Sequence, residues 1–410
     1  MKRHNLPDGA MSRQIVWIAC IVYILGYAGY CFDFNESIKP LRYLIYTIPF
    51  ILVASPMLER LPRCNKPAEW YLVTYLYLGW IGYMTHVTNA ESFFNDFGIT
   101  ALIVLSFVPT IDVIAPQIRI VFFFTAIYFV AAYALNEHEG IRVLQLLESG
   151  GILARATPGT AFDSDSGGLI PSIYAVFYYA TSARLEFITA LVMCFVGGKR
   201  ISILAVLVGL AAVSLFQRVP ALNSSRNRFL VLVVVLAAIN AVGSNLLSIV
   251  EYGYWAIRPD AHIEELMLGR HEIGTTMVQV VQSRPLVELV FGSGAGSANA
   301  LAGLMTNGAV THPHNDWLKL LFDYGILGSS LITVFMALVF SSSKTGATIA
   351  IANAVIMLTD NVAAYLFYQI PIVLMLAFSA QQESRRLETE PAPRAGFALG
   401  LGSRRKQMAR

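Results

Sequence analysis

Charge is what this chain lacks most. Only 13% of its 410 residues are Asp, Glu, Lys or Arg, about half the roughly 25% of a soluble globular domain. A chain so poor in charge cannot clothe itself for water, and a soluble enzyme or a nucleic-acid-binding domain is excluded. Strict apolar–polar alternation is also missing, which excludes an outer-membrane barrel. Cysteine is scarce. Cys20, Cys31, Cys64 and Cys194 lie in or beside apolar runs and lack metal-ligand spacing, so they read as packing residues. No Gly-Lys-Ser/Thr follows a glycine-rich run, and no His-Glu-x-x-His pattern occurs, so neither a P-loop nor that type of zinc site is present. We find no internal repeat.

What the chain has instead is hydrophobicity. Apolar types make up 56% of the residues, and the mean hydropathy is +0.59. Runs near span length recur from Val16 to Phe378. This predicts an all-α polytopic membrane protein with about twelve transmembrane helices. The expected spans are about 14–33, 41–58, 69–87, 97–115, 118–135, 169–183, 185–198, 201–217, 229–250, 316–341, 345–359 and 362–380. The sixth and seventh are short for a bilayer that needs about 20 residues, which suggests tilted, broken or re-entrant segments. Residues 1–380 form a single transmembrane domain in this reading. The basic N-terminus Met1 to Arg13 has no small-residue cleavage site after it, and reads as the flank of a retained first helix.

Most of the 29 Lys and Arg residues fall on one side if both termini are cytoplasmic, as the positive-inside rule expects. The large loops 136–168 and 251–315 are then periplasmic, the second lying between spans 9 and 10. The basic segment 381–410 has little apolar periodicity and is expected to be a disordered cytoplasmic tail near anionic lipid.

The most informative stretch runs from Thr311 to Leu327. Two histidines, an amide and a carboxylate lead without a spacer into an apolar helix. Polar groups at the mouth of a span cost desolvation energy and suggest a site at the bilayer surface. Three roles are open to His314: helix cap, zinc ligand with His312 and Asp316, or general base. Asn315 and Asp316 suit an N-cap. Asp316, Lys319 and Asp323 are spaced to share one helical face, which is the pattern of a structural stripe.

Basic residues on the expected outer side run against the positive-inside trend. Lys199 and Arg200 sit in Gly197-Gly-Lys-Arg200 between two spans, where Arg200 either snorkels to lipid phosphate or holds a bound anion. Arg270 sits in Leu268-Gly-Arg-His-Glu-Ile-Gly274 and, taken alone, reads as a solvated surface charge. Gly292, Gly294 and Gly296 free the backbone so that successive N–H groups can cradle an oxyanion, unless the segment is an ordinary loop. Asp163 and Asp165 have the spacing of metal-binding carboxylates, but in a Ser/Gly-rich loop they read as solvated.

The run His314-Asn-Asp-Trp-Leu-Lys-Leu-Leu-Phe-Asp-Tyr-Gly-Ile-Leu-Gly328 resembles the signature of the O-antigen ligase and Wzy-type polysaccharide polymerase superfamily. Phe291-Gly-Ser-Gly-Ala-Gly296 is similar to that family's glycine-rich segment. Gly198-Lys-Arg200-Ile-Ser-Ile-Leu-Ala205 resembles its Ser-Arg-Gly-type turn, with Gly-Lys-Arg in place of Ser-Arg-Gly. Arg270 occupies the place of its loop arginine. The resemblance implies a GT-C-type inverting glycosyltransferase that needs no metal or cofactor. Its donor would be a glycan on undecaprenyl pyrophosphate, used at the periplasmic face of the bacterial inner membrane. His314 would be the base that deprotonates the acceptor hydroxyl, and Arg200 and Arg270 would bind the pyrophosphate. Lys199, Asn315, Asp316 and the three glycines would support them. Polymerisation of exopolysaccharide, capsule or O-antigen is the first expectation, with a chain-length regulator as a further partner. Ligation to lipid A-core or protein is the alternative. Transport of lipid-linked sugars is a second alternative, to which the short spans at 169–198 lend some support.

Overall fold

The computed structural model describes residues 113–135, 168–197, 199–244, 270–308, 313–360, 362 and 366–389, with scattered positions between 16 and 28. Among these, the regular elements are all helical. They are α1 (Ala115–Leu135), α2 (Leu169–Ala180), α3 (Arg184–Val196), α4 (Arg200–Arg218), a 3-10 turn (Pro220–Asn223) and α5 (Ser225–Ser244). There follow α6 (Arg270–Ser283), α7 (Leu286–Phe291), α8 (Ser297–Met305), α9 (Asp316–Phe340), α10 (Lys344–Ile356) and α11 (Leu366–Thr389). Three described stretches are long and apolar enough to cross a bilayer: Ile201–Arg218, Ser225–Gly243 and Asp316–Phe340. This is a helical membrane protein.

Helices α1 to α5 and α9 to α11 lie where the apolar runs predict spans. The expected spans 41–58 and 69–87 fall outside the described residues, as do most of 97–115 and much of 14–33. So do Asp163 and Asp165. Two expectations need correction. The segment 251–315 is not simply a loop, because its described part folds into α6, α7 and α8. The tail does not begin at Gln381 either, since α11 continues to Thr389. Good helix formers carry it on, and Glu383 is anchored by Arg228 at 3.3 Å.

Helix α2 is the centre of the bundle, with every residue from Leu169 to Tyr178 buried. Helix α4 crosses it closely. A Cβ at Gly209 would collide with Val176 and touch Ala352 of α10. Small residues let apolar helices approach in this way and gain dispersion contacts. Helix α3 lies on the outside, with Leu185 75% exposed and Ile188 56% exposed, as suits a surface that faces lipid. Helices α2 and α3 have 12 and 13 residues, a rise of about 18–20 Å against a hydrocarbon core of about 30 Å.

The bundle has two polar ends. At one, buried Arg228 donates from Nε to Ser341 O (2.8 Å), from Nη2 to Ser342 O (3.2 Å) and from Nη1 to Leu222 O (3.1 Å) and Asn223 O (2.8 Å). It thereby ties the α4–α5 turn to the α9–α10 turn. Replacing Arg228 by Ala strips these carbonyls of a donor, at about 1–3 kcal/mol for each one left buried. We expect a loss of several kcal/mol in thermal unfolding in detergent. A loss under about 1 kcal/mol would show that the turns hold without the guanidinium.

The other end gathers the start of α4, the close of α5, the start of α9 and the close of α10. Lys199 Nζ meets Asp360 Oδ2 at 3.0 Å, Asp316 N donates to Met357 O at 3.0 Å, and Asn315 Nδ2 donates to Gly243 O at 2.9 Å. Both ends of α9 are therefore tied to the ends of α10. Yet α9 has 25 residues and α10 has 13, rises of about 37 and 20 Å if straight. Helix α9 cannot run straight, and it breaks at Gly325 (φ 67°, ψ −171°). Its first part, 316–324, turns aside across the polar end, and only 326–340 runs along the bundle.

Candidate active site

The first part of α9 is buried on two faces because its sequence carries two apolar stripes. Trp317, Leu320 and Tyr324 belong to the core of the bundle. Leu318 and Phe322 belong to a second core with Ile273, Met277 and Val281 of α6 and Ala298 and Ala302 of α8. The segment is thus a strut between the bundle and a cap made of α6, α7 and α8. Asn315 begins it as an N-cap, its side chain accepting from Leu318 N at 3.0 Å. That satisfies one of the orphan donors of the first turn, as the sequence predicts.

The third stripe is polar and structural. Lys319 Nζ and Asp323 Oδ2 are 3.0 Å apart and both are buried. Asp323 also accepts from Ala298 N (2.8 Å) and Gly296 N (3.1 Å). Gly296, the N-cap of α8, has no side chain to offer, so a carboxylate from a distant helix does the capping. The glycine-rich segment does cradle an oxyanion, but the oxyanion is the chain's own. Gly294 N likewise donates to Asp323 O at 2.8 Å. Gly292 (φ 82°) is needed for close approach: a Cβ there would strike the backbone of Asp323 and Gly325, and one on Gly325 would strike Val290 and Gly292.

His314 stands just before this strut. Its φ is 53°, in the left-handed region that few residues other than glycine occupy. Such a conformation is strained, and strain of this kind gathers at functional sites. The side chain is half-buried, so it is held by its surroundings and still reachable. Of its notional zinc partners, Asp316 has its backbone N–H bound to Met357 O, and His312 lies outside the described residues.

The basic residues fall into different positions. Lys199 and His314 share one end of the bundle, through the links of Lys199 to Asp360 and of Asp316 to Met357. Arg200 opens α4 at that end and Arg270 opens α6 in the cap; for both, only the backbone is described. The starts of α2 and α4 also meet there, since a Cβ on Gly168 would touch Lys199 Cβ and Ser202 Oγ. Three helix N-termini, those of α2, α4 and α9, thus lie at one end, and their dipoles favour negative charge.

Three polar residues were missed by the sequence reading. Asp360 neutralises Lys199, so that ammonium is engaged within the fold. Its only sequence signal is a lone carboxylate in Met357-Leu-Thr-Asp-Asn-Val362, between apolar runs. Tyr368 of α11 is buried and donates to Asn353 Oδ1 at 2.8 Å. Arg284 lies over the Phe322 ring, 3.9 Å from its centre, and donates to Phe322 O at 2.8 Å. Burial draws the Arg284 pKa down, and Glu288 and Asp323 oppose that. That carbonyl sits one turn before the Gly325 break and also accepts from Ser293 N at 3.2 Å, so the α6–α7 turn and the glycine-rich turn both hold it.

A search among curated proteins finds no match. Residues 185–333 match the family model described as O-antigen ligase. The matched part begins at α3, takes in Lys199, Arg200, Arg270, the glycine-rich segment and His314, and ends within α9; Asp360 lies beyond it. By this match the segment 185–333 is placed in the O-antigen ligase/Wzy-type family.

Proposed function

We propose that the protein is a polysaccharide polymerase of the bacterial inner membrane. It transfers a glycan from undecaprenyl pyrophosphate to a lipid-linked repeat unit at the periplasmic face. The observation that carries this reading is the imidazole of His314, held in a strained left-handed turn at a polar bundle end inside a segment of the matching family. In the proposed step, His314 takes the proton from the acceptor hydroxyl as that oxygen attacks the anomeric carbon. The bond from that carbon to the carrier's phosphate breaks, with inversion, and the pyrophosphate leaves on its lipid. Arg200 and Arg270 stabilise its growing charge, since guanidinium is always ionised and binds phosphate oxygens in pairs. The converging helix N-termini add to the same field. A metal is not required in this scheme. The reading extends to about twelve spans of GT-C type, both termini cytoplasmic and a chain-length regulator as partner.

The test is reconstitution in vesicles with a single lipid-linked repeat unit and no other acceptor. A polymerase yields a ladder of glycan lengths and releases undecaprenyl pyrophosphate. Consumption of donor only after lipid A-core or an acceptor protein is added would establish the ligase. No consumption of donor, with movement of it across the bilayer, would replace both by a transporter.

A further inference from the structure

Helix α7 has an unusual surface for a segment outside the bundle. Its six residues, Leu-Val-Glu-Leu-Val-Phe, include none that is buried. Leu286 is 75% exposed, Val287 is 68% exposed and Phe291 is 40% exposed. Leu289 turns toward the second core, and exposed Glu288 lies at the edge of the apolar arc. Large apolar side chains so displayed mark a surface that meets something other than water.

What they meet follows from where the helix ends. Gly292 closes α7 with its backbone against Gly325, the break in α9. The next residue of α9 is Ile326, 49% exposed, followed two turns later by Val334, 38% exposed. These point away from the bundle on the stretch that runs along it, and so belong to the lipid-facing surface of a span. The apolar arc of α7 continues that surface at the level where the span begins.

We propose that α7 is an interfacial helix, with Leu286, Val287 and Phe291 among the acyl chains of the leaflet nearest His314 and Glu288 at the headgroups. The cap of α6 to α8 then rests on the bilayer beside the strut that carries His314. This stands apart from the reaction assigned above, and needs only that 326–340 faces lipid.

Nitroxide labels test it on the full chain in lipid nanodiscs. Cys20, Cys31, Cys64 and Cys194 are replaced by serine, and one cysteine is placed at Leu286, Val287 or Glu288. A cysteine at Leu215 of α4 serves as the lipid-facing reference. Collision of each label with oxygen, which favours lipid, is compared with collision with a water-soluble nickel chelate. Labels at 286 and 287 should give an oxygen-to-nickel ratio within about twofold of that at 215 and several-fold above that at 288. Ratios equal to that at 288 would mean that α7 faces water. Low collision with both reagents would mean that protein covers it. Either result overturns the proposal. Circular dichroism on each labelled protein verifies that the cysteine-free background keeps its helices.

Discussion

His314→Ala is expected to give a folded protein that makes no long-chain glycan, with turnover lowered by at least about 100-fold, the lower range for loss of a general base. Alanine, however, changes two things. It removes the imidazole, and it places a less tolerant residue at φ 53°. Asparagine separates them, because it is among the side chains that accept the left-handed region but cannot serve as the base. His314→Asn should therefore unfold at the wild-type temperature and be as inactive as His314→Ala. The assay is the length distribution of glycan from lipid-linked repeat units in vesicles. Wild-type lengths from either variant would remove His314 from the chemistry. Activity retained by asparagine and lost by alanine would make the residue a backbone device.

Asp323→Ala should have the largest effect on stability. The carboxylate is fully buried and holds three groups at once: Lys319 on its own helix, and the N–H groups of Gly296 and Ala298 at the start of α8. Its removal takes from the Lys319 ammonium, 4% exposed, the carboxylate 3.0 Å away, and from two backbone donors their acceptor. Breaking a buried pair from one side costs about 3–5 kcal/mol, a large share of the roughly 5–15 kcal/mol that holds a typical domain. Thermal unfolding in detergent would read it. Lys319→Met in addition should recover part of the loss, because the buried charge goes with it. A single variant within about 0.5 kcal/mol of wild type would show that the carboxylate is dispensable to the cap. Full stability in the double variant would leave the α8 donors with no measurable role.

These two residues differ in how much of their role was legible. His314 was visible as a polar residue at the mouth of an apolar run, because hydropathy contrast is local. That Asp316, Lys319 and Asp323 share a face was equally local, since it follows from 3.6 residues per turn. Even the N-cap at Asn315 could be read from type and place. The partner of Asp323 could not. Nothing in Gly294-Ala-Gly-Ser-Ala298 says that its N–H groups will close on a carboxylate 25 and 27 residues onward. The open N–H cradle expected there is, in the fold, already filled.

The chain's own letters settled the solvent and the rough ends of its helices. Burying long apolar runs in lipid depends on composition along the strand, and intrahelical hydrogen bonds need only near neighbours. The tertiary structure alone decided which groups are engaged and which remain for chemistry. Lys199 read as a support for Arg200, and only the fold brings Asp360, 161 residues away, beside it. Gly325 had the look of a helix residue until the tethers at both ends of α9 required a break. Pairing of charges and closure of backbone against backbone depend on distance in space, and chain contacts over such separations form only when the bundle has packed.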